Sequence, residues 1–253
     1  MRADGVSSHP VRSLRLFAIW TAIALLTLLF GLPAIPAAFL PPRGDWFLRF
    51  ARGWARSILF VAGIPVRVLH SERLEAGKSF VIASNHESFC DILMLLSALP
   101  MQVRFLAKRS VFRIPVLGWS IGAAGFVPVD RGERSRSGGA VEAAIRRLRD
   151  GRSLVIFPEE TRTATGELLP FKQGAALLAL RSGLPLLPVG IGGTFRILPR
   201  DTFDIRSGPA VLSIGEPIEV RGRSARERKE LTRELSDRVK TLREEAHATL
   251  PRE

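Results

Sequence analysis

The chain has 253 residues, long enough for one sizeable α/β domain with a short appendage and tight for two full domains, because one hydrophobic core still serves that length. Its formal charge of +13 attracts polyanions, whether nucleic acid, an anionic lipid surface or a phosphorylated substrate, without choosing among them. The single cysteine, Cys90, excludes an internal disulfide framework, and the scattered histidines His9, His70, His86 and His247 make no spaced zinc cluster with it.

The first element is an apolar run. From Leu16 to Leu32 no charged residue interrupts LFAIWTAIALLTLLFGL, and Arg12 and Arg15 stand just before it. At the rise of an α-helix it covers roughly 25 Å, slightly less than the roughly 30 Å hydrocarbon core of a bilayer. That suits a short span, a half-inserted helix or a signal peptide, although a clean small-x-small cleavage site is hard to find. Pro33 and Pro36 then predict a hairpin turn rather than a continuing helix. The next segment, DWFLRFARGWARSILFVAG, carries Phe47, Phe50, Trp54 and Ile58 at helical spacing beside Trp46. Arg49, Arg52 and Arg56 supply charge, and Asp45 is the expected N-cap. This is the profile of an interfacial helix; the same stripe also suits packing on the protein's own core with the arginines solvated.

A Gly/Pro region around 63–78 separates front end from body, so residues 1–65 are read as a membrane-associating helical segment and 66–253 as an α/β domain. In the body, SFVIAS (79–84), SLVIF (153–157) and LPLLPVGI (184–191) are short apolar runs bounded by turn residues and predict buried strands. Between them, GGAVEAAIRRLRDG sets Val141, Ile145 and Leu148 on one helical face, and QGAALLALRSG predicts a short buried helix stopped at Gly183. Leu231, Leu235, Val239 and Leu242 recur at helical intervals in the charged tail, which predicts a surface helix from Ser224 to about Thr249. Alternating strands and helices argue for a mixed, largely parallel sheet covered by helices.

The stretch SNHESFCD, Ser84 to Asp91, follows the first of these strands. On an ideal helix a separation of five sets side chains about 140° apart, so His86 and Asp91 meet only if the histidine lies in the turn and the aspartate early in the following helix. An imidazole donating one nitrogen to a carboxylate is held in the tautomer that leaves the other free to accept a proton, which makes a general base. The alternative is a structural histidine bonded to a capping residue. Cys90 is a weak candidate nucleophile, since buried thiols are inert.

Four blocks in order add to this pair: NHESFCD, GFVPVDR ending at Arg131, VIFPEETR and LPLLPVGI, with FLAKRSVFRIPVLGW between the first two. Over about residues 65 to 215 the chain resembles the glycerolipid acyltransferases of the 1-acylglycerol-3-phosphate acyltransferase family. The resemblance implies a fatty acyl transfer from acyl-CoA or acyl carrier protein to the free hydroxyl of a lysophospholipid, giving phosphatidic acid, with no cofactor and no metal. His86 and Asp91 match the family's catalytic pair. Arg131 and Arg162 are then the expected phosphate ligands, because a guanidinium forms paired charge-assisted bonds, with Lys108 as a third charge. Ser88 and Thr161 are expected hydrogen-bond donors, Glu159 an orienting group for an arginine or a substrate hydroxyl, and Pro188 a pocket wall. Glu160 stands where the family commonly has glycine, so it is expected either to adopt an ordinary backbone conformation or to point away from the ligand.

The implied setting is the inner membrane with the active site facing the cytoplasm, in contact with anionic lipid. Rival readings are acylation of another lysolipid, such as a lyso-ornithine lipid or a remodelling substrate, and a catalytically silent membrane-binding relative. Nucleic-acid binding is suggested by charge alone and is supported by no motif.

Overall fold

The computed structural model describes residues 8–41, 44–74, 77–129, 138–149 and 151–251. Helix α1 (Ser8–Ala37) is followed by α2 (Asp45–Val61). The stretch Arg12–Ala37 is long and apolar enough to cross a membrane, with a mean hydropathy of 2.1, and little of it is buried in the protein. Contrary to the hairpin expected at Pro33 and Pro36, the helix runs through both prolines. They fall in its last turn and a half, each giving up its own i→i−4 bond, and the helix ends one residue after Pro36.

Asp45, expected to cap α2, is instead its first helical residue, and Gly44 takes the cap position at φ 97°. The apolar stripe of α2 faces inward, with Phe47, Leu48, Ala51, Ala55, Ile58 and Leu59 buried. Its cations do not form one solvated face. Arg52 Nη2 donates to the carbonyls of Leu99, Pro100 and Met101, each at 2.8 Å, and Arg56 to that of Ser97 at 3.2 Å. Both guanidinium groups thus meet the carbonyl-rich carboxyl end of α3 (Cys90–Ala98), where orphan acceptors attract cations. Arg49 stacks over Trp46, 4.5 Å from the ring centroid.

Seven strands form one sheet: β1 (Val66–Leu69), β2 (Val81–Ser84), β3 (Val103–Lys108), β4 (Val127–Val129), β5 (Ser153–Ile156), β6 (Leu186–Gly192) and β7 (Ala210–Ile214). Their order is β1-β7-β6-β2-β5-β3-β4. Among the described residues, the ladders between these strands are parallel except that of β6 with β7. The period of two in β2 divides the core. Ile82 joins α2 and α3 on one face, while Val81 and Ala83 meet α5 (Gly138–Arg149), α6 (Gly174–Ser182) and α8 (Arg228–Ala248) on the other. Two shorter helices, α4 (Leu117–Ala123) and α7 (Thr194–Ile197), complete the chain order.

Two details position the site. Because β2, β5 and β6 are parallel neighbours, the segments following Ser84, Ile156 and Gly192 emerge on one sheet edge, the carboxyl edge that open α/β sheets use for ligands. Gly190 lets α8 lie directly on β6: a Cβ there would stand 2.3 Å from the backbone between Leu242 and Arg243. Pro188, expected to wall a pocket, is buried in β6, and its carbonyl accepts from Gly215 N, just past the end of β7. Its missing N–H therefore points beyond the β6–β7 ladder, which begins at Val189 and Ile214.

Candidate active site

His86 lies in the turn after β2, and Asp91 is the second residue of α3. The imidazole Nδ1 and Asp91 Oδ2 are 2.8 Å apart. The same oxygen accepts the backbone N–H of Glu87 at 2.7 Å and of Ser88 at 2.8 Å. One carboxylate oxygen therefore fixes both the turn and the ring it carries. Asp91 Oδ1 is buried without a partner among the described residues.

The loop after β5 holds His86 from three further directions. The Phe157 ring stacks on the imidazole with centroids 3.8 Å apart and an interplanar angle of 13°. The backbone N–H of His86 donates to Glu159 Oε1 at 2.6 Å, and its carbonyl accepts from Thr163 N at 3.0 Å. With Nδ1 donating to Asp91, Nε2 is the nitrogen left to act on a substrate, and His86 lines a cavity of about 880 Å³.

That cavity extends between the sheet edge and the two amino-terminal helices, with Trp20, Ile23 and Phe30 of α1, Trp54 and Ile58 of α2, and Leu93 and Leu96 of α3 on its walls. The same cavity is lined by the polar residues Lys108, Glu160, Thr161, Arg162, Lys172 and Arg200. Arg162 lies with its Cζ 4.0 Å from the Phe89 ring centroid, a cation–π contact that holds the guanidinium beside the catalytic turn.

Not every residue expected at the site faces this cavity. Ser88 is buried, and its hydroxyl donates to Leu198 O at 2.9 Å while accepting from Cys90 N at 3.2 Å, so it braces the turn. Glu159, expected to orient an arginine or a substrate hydroxyl, binds backbone instead: its second oxygen accepts from Leu169 N at 2.7 Å. Arg131 lies outside the described residues. Glu160 does not take an ordinary conformation; at φ 60° it keeps the left-handed geometry that glycine holds without strain, and its exposed side chain lines the cavity. Cys90 is buried, and burial pushes its thiol up to about 11, so it carries almost no thiolate at neutral pH.

Phe157, Thr163, Leu198, Arg200 and the contacts of Glu87 were not foreseen. The signal for Phe157 lay inside VIFPEETR, and Thr163 follows that block directly, since a loop on the strand edge beside β2 must pass the histidine. Glu87 is buried one residue after His86 and pairs with Arg243 Nε at 2.8 Å, with His247 Nε2 at 3.3 Å. Nothing local in the sequence announces these partners.

Burial raises the Glu159 carboxyl from its ordinary 4.5 to about 7, and the nearby Asp91 and Glu87 add to the rise; the two backbone N–H groups oppose it. A raised acid stabilises the fold through its protonated form. That contribution is full below pH 4.5 and is lost as pH rises through about 7, a decline of up to about 3 kcal/mol. Thermal unfolding in detergent between pH 5 and 8 is expected to reveal this slope, and Glu159→Gln is expected to flatten it.

The acyltransferase family model matches residues 65–192, half of the chain. The chloroplastic 1-acyl-sn-glycerol-3-phosphate acyltransferase BAT2 of Brassica napus is 37% identical over 139 residues, 54% of this chain and 40% of that protein. The 1-acyl-sn-glycerol-3-phosphate acyltransferase of Borreliella burgdorferi is 31% identical over 182 residues, 72% of each chain. The crystal structure of the 1-acyl-sn-glycerophosphate acyltransferase PlsC from Thermotoga maritima shares the fold, with a TM-score of 0.83, 25% identity and coverage of 95% of this chain and 98% of that one. The chain spans about half the length of several of the plant relatives it matches. A family model matched over half of the chain, together with a relative 31% identical over 72% of each chain, decides the membership: the chain belongs to the acyltransferase family that includes the 1-acylglycerol-3-phosphate acyltransferases.

Proposed function

We propose that the protein transfers a fatty acyl group from a thioester, acyl-CoA or acyl carrier protein, to the free hydroxyl of 1-acylglycerol-3-phosphate, giving phosphatidic acid. The observation that carries this reading is the His86–Asp91 pair, bonded at 2.8 Å, with His86 lining an apolar cavity large enough for an acyl chain. His86 Nε2 takes the hydroxyl proton as the oxygen attacks the thioester carbonyl. The C–O bond forms, the C–S bond breaks, and the imidazolium returns its proton to the departing thiolate. Asp91 stabilises the imidazolium between those steps. No acyl-enzyme is required, in keeping with the suppressed Cys90 thiolate.

Lys108, Thr161 and Arg162 hold the acceptor's headgroup, with Arg131 as a further phosphate ligand. Residues 1–65 associate with the inner membrane, and the site faces the cytoplasm, where long-tailed substrates pass from the bilayer into the cavity between α1 and α2. The apolar, largely unburied α1 supports the association with a membrane.

The deciding experiment offers the purified full-length protein lysophosphatidic acid, a lyso-ornithine lipid and lysophosphatidylcholine, each with acyl-CoA and with acyl carrier protein. Phosphatidic acid formation is expected to be strongest. Arg162→Ala is expected to raise the KM of the phosphate-bearing acceptor about tenfold, the loss of one charge-assisted contact. Transfer confined to acceptors without a phosphate monoester would sink the assignment.

A further inference from the structure

The cavity wall beside Arg162 carries a second guanidinium that no sequence block contains. Arg200 follows α7, in a segment fixed at two points. Leu198 O accepts the Ser88 hydroxyl, which ties the segment to the catalytic turn. Arg200 Nη1 donates to Thr161 Oγ1 at 3.4 Å and to the Arg162 carbonyl at 3.3 Å, which ties it to the loop after β5. Arg200, Arg162 and His86 line one cavity.

Asp201 lies between the two guanidinium groups. Its Oδ2 is 2.9 Å from Arg200 Nε, and its Oδ1 is 4.0 Å from Arg162 Nη2. The side chain is 74% exposed, so packing does not hold it there. Its backbone sits at φ 62°, a left-handed turn conformation that aspartate, like asparagine, adopts more readily than other non-glycine residues. The charged groups beside its carboxylate are the two guanidinium cations. A carboxylate hydrogen-bonded to one arginine and within ion-pair range of a second has the chemistry of a smaller, singly charged substitute for a phosphate monoester, which offers three oxygens and up to two charges to the same forks.

We propose that Arg200 and Arg162 together form the subsite for the acceptor's phosphate, and that Asp201 occupies this subsite as an internal anion until the headgroup displaces it. The proposal rests on the lysophosphatidic acid reading above and assigns its specificity. A phosphate monoester competes with Asp201 effectively, a singly charged diester does so less well, and a neutral headgroup does not displace it.

The test uses the full-length protein in mixed micelles. Initial rates are measured against 1-oleoylglycerol-3-phosphate and against neutral 1-oleoylglycerol at saturating acyl-CoA, and glycerol 3-phosphate is titrated as a competitive inhibitor to read the headgroup site without an acyl tail. Arg200→Ala is expected to raise both the KM for the phosphate acceptor and the Ki for glycerol 3-phosphate about tenfold. It is also expected to lower the preference for the phosphate acceptor over the neutral one by a similar factor, with Arg200→Lys in between. Asp201→Asn keeps the shape, and asparagine tolerates the left-handed conformation; it is expected to lower KM and Ki several-fold, with the gain shrinking as salt is added. Unchanged KM and Ki in Asp201→Asn, or equal losses for both acceptors in Arg200→Ala, overturn the proposal. A raised KM in Arg162→Ala would then still stand for the function. Acyl transfer by the unaltered protein only to neutral acceptors overturns the function and this subsite together.

Discussion

Replacing His86 by alanine is expected to lower kcat for acyl transfer about 10²–10⁴-fold, the usual contribution of a positioned general base. The acceptor's KM should stay near its starting value, because the imidazole acts on the hydroxyl in the transition state rather than holding the headgroup. Asp91→Asn separates orientation from charge. Three N–H groups converge on Oδ2, and Oδ1 has no partner among the described residues. An asparagine can therefore keep its carbonyl oxygen at the Oδ2 position and set its amide at Oδ1, which preserves both the turn and the imidazole tautomer. Only the charge opposite the imidazolium disappears. The expected loss is about 10- to 100-fold, the size of one charge-assisted bond. Release of thiol from acyl-CoA, followed continuously, measures both variants. A loss in Asp91→Asn as large as in His86→Ala would mean that the amide has turned round and selected the wrong tautomer.

How far these features could be read in advance depended on the range of the interaction. The strands β2, β5 and β6 are apolar runs cut off by turn residues, and their helices follow from 3.6-residue spacing, so the parallel centre of the sheet was legible from local pattern. The meeting of His86 with Asp91 was legible too, because a strand-to-turn-to-helix path leaves few other places for the two side chains. Pro33 and Pro36 misled because a proline removes one donor and weakens a helix without fixing the residue at which it stops. The arginines of α2 misled for another reason: Arg52 and Arg56 look solvated until the carboxyl end of α3 is set beside them. Glu160 shows that a backbone can hold a left-handed turn where no glycine stands. Arg200 and Arg243 were invisible, since each reaches the site by a chain path that only the β6–β7 pairing and the packing of α8 define.

The second large effect is expected far from the blocks, at Arg243→Ala. Glu87 is almost fully buried beside His86, and 156 residues along the chain Arg243 supplies its strongest partner. Asn85 Nδ2 at 3.3 Å, His247 Nε2 at 3.3 Å and Phe195 N at 3.4 Å make longer contacts. Removing the guanidinium leaves a buried carboxylate short of its main counter-charge, which typically costs about 3–5 kcal/mol, or a fall in Tm of about 10 °C for a chain of this size. It also frees the Gly166 carbonyl that Arg243 Nη2 holds at 2.5 Å, loosening the loop after β5 from α8. Glu87→Gln should cost less, since the amide keeps an acceptor and sheds the charge. Combining Glu87→Gln with Arg243→Ala should cost less than the sum of the two, because the stranded charge is then gone. Strict additivity of the three Tm shifts would mean that the pair is not coupled. A coupled pair means that the carboxyl-terminal helix, through Glu87, sets the turn on which His86 stands, and kcat should then fall in Arg243→Ala at temperatures where the protein is still folded.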